Sequence, residues 1–229
     1  MTTISLSQST FRVLKNFTTI NPSIVVEPGS DLRSIVIGEH LIAHYECEEN
    51  FPQAFAIYDL YEFLNGLQLF FGTQNSEVLL KFGNKDYLEI LSGTRKTKYY
   101  FSDPELTIKS APNKRVEFPG ADIEFDLIRE DLNGIQKAAD IYKLKDLLFV
   151  SEGNKIYVEV TDLDDETSIK YTQDLKGTST GDFRLTMKVD NLKIMSDDYT
   201  VKVSEQFVTE WKNKSIPLTY WIALEPNED

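Results

Sequence analysis

Two histidines, a glutamate and a cysteine lie close together at positions 40, 44, 46 and 47, and all three residue types bind metals. A metal site needs ligands that converge on one point. In a β-strand, however, His40, His44 and Glu46 share one face while Cys47 points to the other. We therefore interpret these residues as ordinary polar positions of a strand and predict no metal site.

The acidic run from Asp162 to Glu166 resembles a calcium-binding loop only in its charge. It lacks the glycine and the terminal glutamate spacing of an EF-hand, so a solvated turn is the favoured interpretation. The chain has no glycine-rich phosphate loop and no Gly-x-Ser-x-Gly motif, and nothing favours a Ser/His/Asp triad. The sequence therefore predicts a non-enzymatic protein without a cofactor.

Two segments, 9–20 and 132–143, are predicted to form amphipathic helices, because their residues divide around a wheel of about 3.6 residues per turn. The apolar halves contain Phe11, Val13, Leu14, Phe17 and Ile20 in the first segment, and Ile135, Ala138, Ala139, Ile141 and Tyr142 in the second. The polar halves carry basic residues, which are Arg12 and Lys15, then Lys137 and Lys143. Each helix thus presents a basic face.

The chain as a whole is strongly acidic, with a net charge of −13 over 229 residues. Affinity for phosphates comes from Lys and Arg, so this charge argues against a protein that grips DNA over its whole surface. Segment 5–26 nevertheless contains Arg12 and Lys15 and no acid. An acidic exterior around a basic channel would repel non-specific DNA and still accept a threaded duplex. Chance segregation of surface charge is the alternative.

The order helix, strands, helix, strands occurs twice, with an offset of about 121–129 residues, which indicates a duplication. Segments 60–70 and 190–195 are the predicted second helices of the two halves. Pro112 and Pro119 make 110–120 the predicted linker between domains 1–109 and 121–229. The single cysteine excludes an internal disulfide. No signal peptide and no apolar run of about 18 residues is found, so we expect a soluble intracellular protein.

Short motifs in a fixed order carry a family resemblance. They are LKNFTTIN at 14–21, AIYDL at 56–60 with FL at 63–64, APNK at 111–114 with FP at 118–119, EDL at 130–132 and YWIALE at 220–225. In series they resemble the DNA sliding clamps of T-even-type tailed bacteriophages. The resemblance implies an α+β chain of duplicated clamp-fold domains, each with two helices lining a channel and outer antiparallel sheets. Three copies would form a head-to-tail homotrimeric ring.

The resemblance also implies a function. The ring would encircle duplex DNA without reading its sequence and tether the replicative DNA polymerase. A separate ATP-driven clamp loader would open it, and late transcription factors would also use it. It would act in the cytoplasm of the infected bacterial host, without contact with a membrane. The alternative is an acidic, non-enzymatic binding protein or DNA mimic that occupies a basic partner.

Three groups of site residues follow. The residues expected to face DNA are Arg12, Lys15, Lys137, Lys143, Lys188 and Lys193, with Asp140 an acidic departure where the family pattern suggests a basic residue. At the subunit interface, strand 97–103 would pair with strand 168–176 of a neighbour, through Lys98, Tyr99, Phe101, Ile169, Tyr171 and Asp174. A partner-peptide groove would lie between the linker and the last strand, at Pro112, Phe118, Pro119, Tyr220, Ile222, Leu224 and Pro226.

Overall fold

A computed structural model describes residues 2–71, 77–107, 109–114, 116–153 and 155–226 of the chain. It divides into two compact units, 1–113 and 114–229, so the division falls inside the segment predicted as the linker. Both units combine helices with antiparallel strands. The α+β class predicted from the sequence is therefore confirmed.

The first unit contains two longer helices and eight strands among its described residues. The elements are β1 (Thr2–Ser5), α1 (Gln8–Ile20), β2 (Ile24–Val26), β3 (Gly29–Ile35), β4 (Leu41–Phe51), β5 (Phe55–Ile57), α2 (Leu60–Phe71), β6 (Leu79–Phe82), β7 (Tyr87–Ser92), β8 (Arg95–Tyr100) and the single turn α3 (Pro104–Thr107). One antiparallel sheet has the order β1-β6-β7-β8, while β2 pairs with β5 and β3 with β4. Helices α1 and α2 pack against each other.

In the part of the second unit that the structure describes, there is one longer helix. The elements are β9 (Ile123–Leu127), α4 (Arg129–Tyr142), β10 (Asp146–Glu152), β11 (Lys155–Thr161), β12 (Tyr171–Leu175), β13 (Gly177–Ser179), β14 (Phe183–Lys188), a 3₁₀ turn (Val189–Asn191), β15 (Tyr199–Ser204), β16 (Val208–Asn213) and β17 (Leu218–Ala223). Strands β12-β11-β10-β14 form one antiparallel sheet, and β13-β9-β15-β16-β17 are neighbours in a second. Helix α4 contacts β11 and β12 of the first sheet.

Helix α1 begins at a cap formed by two distant segments. Ser7 Oγ accepts a hydrogen bond from the Thr10 backbone N–H at 3.1 Å. The buried carboxylate of Glu49, on β4, accepts from the Ser7 N–H at 2.6 Å and from the Thr10 hydroxyl at 2.5 Å. A carboxylate at a helix N-terminus also interacts favourably with the helix dipole. The predicted apolar face is buried, except that Phe11 is only half-buried.

Helix α4 buries Leu132, Ile135, Ala138 and Ala139, but the prediction was wrong for Ile141 and Tyr142, which are 59% and 50% exposed. Ile141 lies four residues after Lys137 and therefore on the same exposed stripe. Tyr142 is the last helical residue, because Lys143 adopts a left-handed conformation with φ of 59°. Leu144 then packs into the core, and its N–H donates to Ala139 O at 3.0 Å. This arrangement is a Schellman-type helix end.

The helix predicted over 190–195 is wrong, because only the 3₁₀ turn at Val189–Asn191 forms. Tertiary hydrogen bonds occupy the backbone that a helix would use. The Tyr199 hydroxyl donates to Met195 O at 2.8 Å, and the Met195 N–H donates to the Tyr220 hydroxyl at 3.3 Å. A short helix pays a high nucleation cost, so these tertiary contacts outweigh a weak local preference.

Candidate functional site

The exposed face of α1 is basic and contains no acid. Arg12 and Lys15 are both exposed and lie three residues apart, which places them on one side of the helix. Among the described residues, neither side chain makes an ion pair. Two cations that are held on a rigid helix and lack protein counter-charges can bind phosphate oxygens.

The exposed face of α4 has mixed charge. Lys137 is exposed and makes no ion pair in the described part of the chain, but Glu130 and Asp140 lie on the same side of the helix. Lys143 is exposed at the helix C-terminus, where a cation interacts favourably with the helix dipole. The acidic neighbours reduce the positive potential at Lys137, so α4 attracts phosphates less than α1 does.

Lys188 and Lys193 do not lie on a helix. Lys188 ends β14, and its ammonium donates to Asp146 Oδ1 at 2.6 Å. The second oxygen of the fully buried Asp146 accepts from the Leu163 N–H at 2.9 Å. The hydrogen bond to Asp146 raises the pKa of Lys188. Lys193 is half-buried after the 3₁₀ turn. The structure therefore separates these two lysines from those on the helices.

Helix α2 contains no lysine or arginine, but Arg95 on β8 reaches its C-terminus. The Arg95 guanidinium donates to Leu69 O at 2.6 Å and lies 5.7 Å from the centre of the Phe70 ring. It thus satisfies a terminal carbonyl of the helix. Sequence reasoning did not assign Arg95 a role, although its position in a basic run was visible.

Strands β8 and β12 each lie at the edge of a sheet. Within the described residues of its own unit, β8 pairs only with β7 and β12 only with β11. An unpaired edge is a template for pairing with another chain. The exposed side chains of β8 include Arg95, Lys96 and Lys98, and β12 exposes Asp174. Asp174 is the acid of β12 that could meet the lysines of β8, and the exposed Lys170 and Lys176 flank that strand.

The predicted interface residues occupy different environments around these edges. Tyr99 packs on Phe63 of α2 with ring centres 4.8 Å apart, and burial raises its pKa to about 12. Lys98 lies 4.4 Å from the centre of the Tyr87 ring. Phe101 follows β8 and packs on Phe55 at 5.1 Å. The remaining three are Ile169, which is 52% exposed, and Tyr171 and Asp174 on β12.

Helix α4 supports the start of β12 through a glycine. A Cβ added at Gly134 would lie 3.0 Å from the Tyr171 hydroxyl. The absence of a side chain at this position therefore lets Tyr171 lie against the helix. Gly66, in α2, has no such neighbour within 4 Å.

The predicted groove residues on the last strand face the core. Tyr220, Ile222 and Leu224 are buried, so their prediction as groove walls is wrong. Side chains alternate along β17, and the opposite face carries Trp221, which is only 9% exposed, and the half-buried Ala223. Trp221 pairs with Glu210, and Ala223 pairs with Val208, so these side chains share that face. Of the other predicted residues, Pro112, Pro119 and Pro226 are exposed and Phe118 is half-buried.

An exposed aromatic residue, Phe207, lies at the turn that joins β16 to β15. It is 39% exposed and adopts a left-handed backbone conformation with φ of 59°. Its carbonyl accepts from the Leu224 N–H at 2.9 Å, which places it beside the end of β17. Bulky residues rarely adopt this conformation. We define the hairpin face as Phe207, Val208, Trp221 and Ala223.

The described residues contain no cluster of His, Cys, Asp and Glu that could hold a metal. His44 Nε2 lies 2.8 Å from Asp31 Oδ1. Cys47 is buried, and its thiol donates to Ser30 O at 3.0 Å. Burial raises the pKa of this thiol to about 12. In the acidic run, Asp162 pairs with Lys145 at 2.9 Å. No helix in the described ranges is long and apolar enough to cross a membrane.

Comparison with known proteins gives three curated relatives. Over 228 residues, the chain is 32% identical to a protein named "Sliding clamp" from Vibrio phage KVP40, with 97% of this chain and 99% of the relative covered. The chain belongs to the sliding clamp family. Relatives of the same name from Escherichia phage RB69 and Enterobacteria phage T4 are 24% and 25% identical, covering 97% and 86% of this chain. No protein-family profile matches the chain.

Solved structures of other clamps have the same fold as this chain. PCNA of A. fulgidus, in a structure with the C-terminal region of FEN-1, aligns over 100% of both chains with a TM-score of 0.76 and 14% identity. The DnaN clamp of Pseudomonas aeruginosa aligns over 99% of this chain and 66% of its own, with a TM-score of 0.72 and 14% identity. The clamp fold is therefore confirmed. Sliding clamps are non-enzymatic proteins of DNA replication, so the prediction of a non-enzymatic chain is also confirmed.

Proposed function

We propose that this clamp closes with two further copies into a head-to-tail ring around duplex DNA and tethers the replicative DNA polymerase of the phage. The observation that supports this function best is the acid-free face of α1, with Arg12 and Lys15, in a family member whose net charge is −13. Inside a ring, such a face would contact phosphates without reading bases. The acidic remainder would keep other DNA away from the outer surface.

Topology replaces affinity in this mechanism. A closed ring retains DNA without strong binding, so a few lysines separated by water allow movement along the backbone. The polymerase bound to the ring rebinds its template intramolecularly, and this raises its effective concentration. A separate ATP-driven clamp loader would open the ring. The proposed place of action is the cytoplasm of the infected host.

Edge pairing would close the ring. We propose that β8 of one copy pairs with β12 of the next, with Lys96 and Lys98 near Asp174. The contact joins two different surfaces, so it forms a ring when the rotation between copies closes. The supporting observation is that both strands leave one edge unpaired within their described units.

The partner-peptide site needs a revised position. We propose that the C-terminal peptide of the polymerase, and of late transcription factors, binds the hairpin face together with Phe118. Phe207 is exposed, and Val208, Ala223 and Phe118 are half-buried, so they offer aromatic and aliphatic contacts beside the largely buried Trp221. Tyr220, Ile222 and Leu224 are at most 5% exposed. A few such anchors supply most of the affinity for a short peptide.

The test combines the mass in solution with a functional assay. Sedimentation should give three times the chain mass of 26.3 kDa, and the protein should extend the length of DNA that its polymerase copies per binding event. A DNA mimic would instead compete with DNA for a basic partner and would not raise processivity. A monomer at micromolar concentration, combined with unchanged processivity, would contradict the proposal.

A further inference from the structure

An open groove of about 620 Å³ lies in the first unit, apart from every surface assigned above. Its walls are the connection from α1 to β2, the turn from β3 to β4 and the start of α2. The lining residues are Asn21, Pro22, Ser23, Ile37, Tyr58, Asp59, Tyr61 and Lys109.

Large apolar side chains concentrate at this groove. Ile37, Tyr58 and Tyr61 are 69%, 59% and 65% exposed. Single exposed apolar residues are ordinary, but a contiguous group around a concave surface is typical of a binding site. The two tyrosines combine an apolar ring with a hydroxyl. Such side chains suit a surface that is exposed to water in the free protein and buried when a partner binds.

Hydrogen bonds hold the walls in place. The Leu60 N–H donates to Pro22 O at 2.8 Å and joins α2 to the opposite wall. The buried Asn21 side chain donates to Ile35 O at 2.9 Å and to Lys109 O at 3.2 Å. The Lys109 ammonium donates to Ile37 O at 3.2 Å. A groove fixed in this way loses little conformational entropy when a ligand binds.

The free charge at the rim is negative. Lys109 pairs with Glu39, so its cation is already neutralised. Asp59 caps α2 by accepting from the Glu62 N–H at 2.7 Å. Within the described residues, neither the Asp59 nor the Glu62 carboxylate makes an ion pair.

We propose that this groove binds a short peptide of a partner protein, in which an aromatic or aliphatic anchor stands beside a lysine or arginine. The anchor packs among Ile37, Tyr58 and Tyr61, and the cation pairs with Asp59 and Glu62. The site is distinct from the hairpin face, and it requires neither the ring nor the polymerase. Charge complementarity selects a basic peptide over an acidic one.

The test starts from a random peptide library displayed on phage and selected on the wild-type protein. Synthetic copies of the selected peptides are titrated calorimetrically into the wild type, Tyr58→Ala, Asp59→Asn and the control Leu163→Ala, whose side chain is 50% exposed elsewhere. We expect about tenfold weaker binding to Tyr58→Ala. Asparagine also caps helices well, so Asp59→Asn should fold normally and should bind more weakly with less dependence on salt. Thermal unfolding of each variant checks the fold.

Several results would overturn the proposal. These are the failure to select any peptide, equal binding to Tyr58→Ala and Leu163→Ala, or selected peptides without lysine or arginine. A change in sedimentation of the free protein caused by Tyr58→Ala would assign the groove to a second copy of the chain instead. Selected peptides should retain their affinity for Phe207→Asn. Loss of binding in that variant would place the peptides on the hairpin face and contradict the separate site.

Discussion

Lys15 and Lys137 are both exposed helix lysines, yet their neighbours differ. Lys15 stands beside Arg12 on a face without acids, whereas Glu130 and Asp140 surround Lys137. Like charges nearby raise the local potential, and opposite charges lower it. We therefore expect α1 to contribute more than α4 to the proposed contact with DNA.

Charge reversal tests this difference. Lys15→Glu should impair loading onto DNA and processive synthesis more than Lys137→Glu, and the double variant should impair both strongly while it stays trimeric. In the proposed ring of three copies, Lys15→Glu would remove three phosphate contacts, so the slope of log affinity against log salt should fall by about 3. Retention on duplex DNA across a sodium chloride series measures this slope. Unchanged processivity in the double variant would refute the assignment.

Phe207 offers a second test with one residue, because its backbone conformation suits asparagine better than phenylalanine. Phe207→Asn should therefore leave the thermal stability unchanged. It should lower the affinity for the polymerase C-terminal peptide by about tenfold. The control is Lys212→Ala, because the Lys212 side chain is exposed on β16. Titration and hydrogen exchange with the peptide provide the readout. If the peptide protects no backbone amide of the hairpin face from hydrogen exchange, this placement is refuted. Membership of the sliding clamp family would not be affected.

Elements were predictable where a local pattern decides the structure. The helical periodicity at 9–20 and 132–143 predicted α1, α4 and most of their buried residues. It could not predict the fate of 190–195, because hydroxyls of Tyr199 and Tyr220 decide that backbone. Alternation on β17 defined two faces but not which one is buried more deeply, since the neighbouring strands determine that. Pairing of Lys188 with Asp146 likewise depends on residues 42 positions apart.

The contact between α4 and β12 leads to a prediction about assembly. Gly134→Ala should favour the helix by up to about 1 kcal/mol but push the Tyr171 hydroxyl by a few tenths of an ångström. Because that side chain can partly yield, the trimer should weaken by about fivefold or less, equivalent to about 1 kcal/mol. Gly66→Ala should stabilise α2 without this penalty. Sedimentation equilibrium compares the two. Equal trimer stability in both variants would contradict a role for Tyr171 at the interface.

The whole molecule combines a large negative charge with one strongly basic edge. In a ring, the β8 edge with Lys96 and Lys98 would meet the β12 edge with Asp174 at every junction. Ion pairs at a surface contribute little individually, about 0.2–1 kcal/mol. Three identical junctions repeat that contribution, so salt should shift the equilibrium between closed and dissociated rings.

An exchange of charges tests the pairing of the edges. Lys96→Glu should weaken the trimer by up to about fivefold per junction, and adding Asp174→Lys to the same chain should restore it. Every copy carries both edges, so one doubly substituted chain rebuilds all junctions. Sedimentation at low and high salt measures the effect. If the two substitutions lower the stability of the trimer additively in the double variant, Lys96 and Asp174 do not contact each other.

The attachment of α1 to Glu49 has a mechanical consequence. That carboxylate fastens the first helical turn to β4 through residues 39 and 42 positions away, so the helix cannot tilt independently of its sheet. If phosphates pass this face as proposed, only the long side chains of Arg12 and Lys15 would follow them, because exposed side chains change rotamer in picoseconds to nanoseconds. Such reorientation is far faster than the displacement of a protein along a duplex. Friction during sliding should then arise from solvent drag and counter-ion exchange. The helix backbone that carries the cations should stay fixed relative to its sheet.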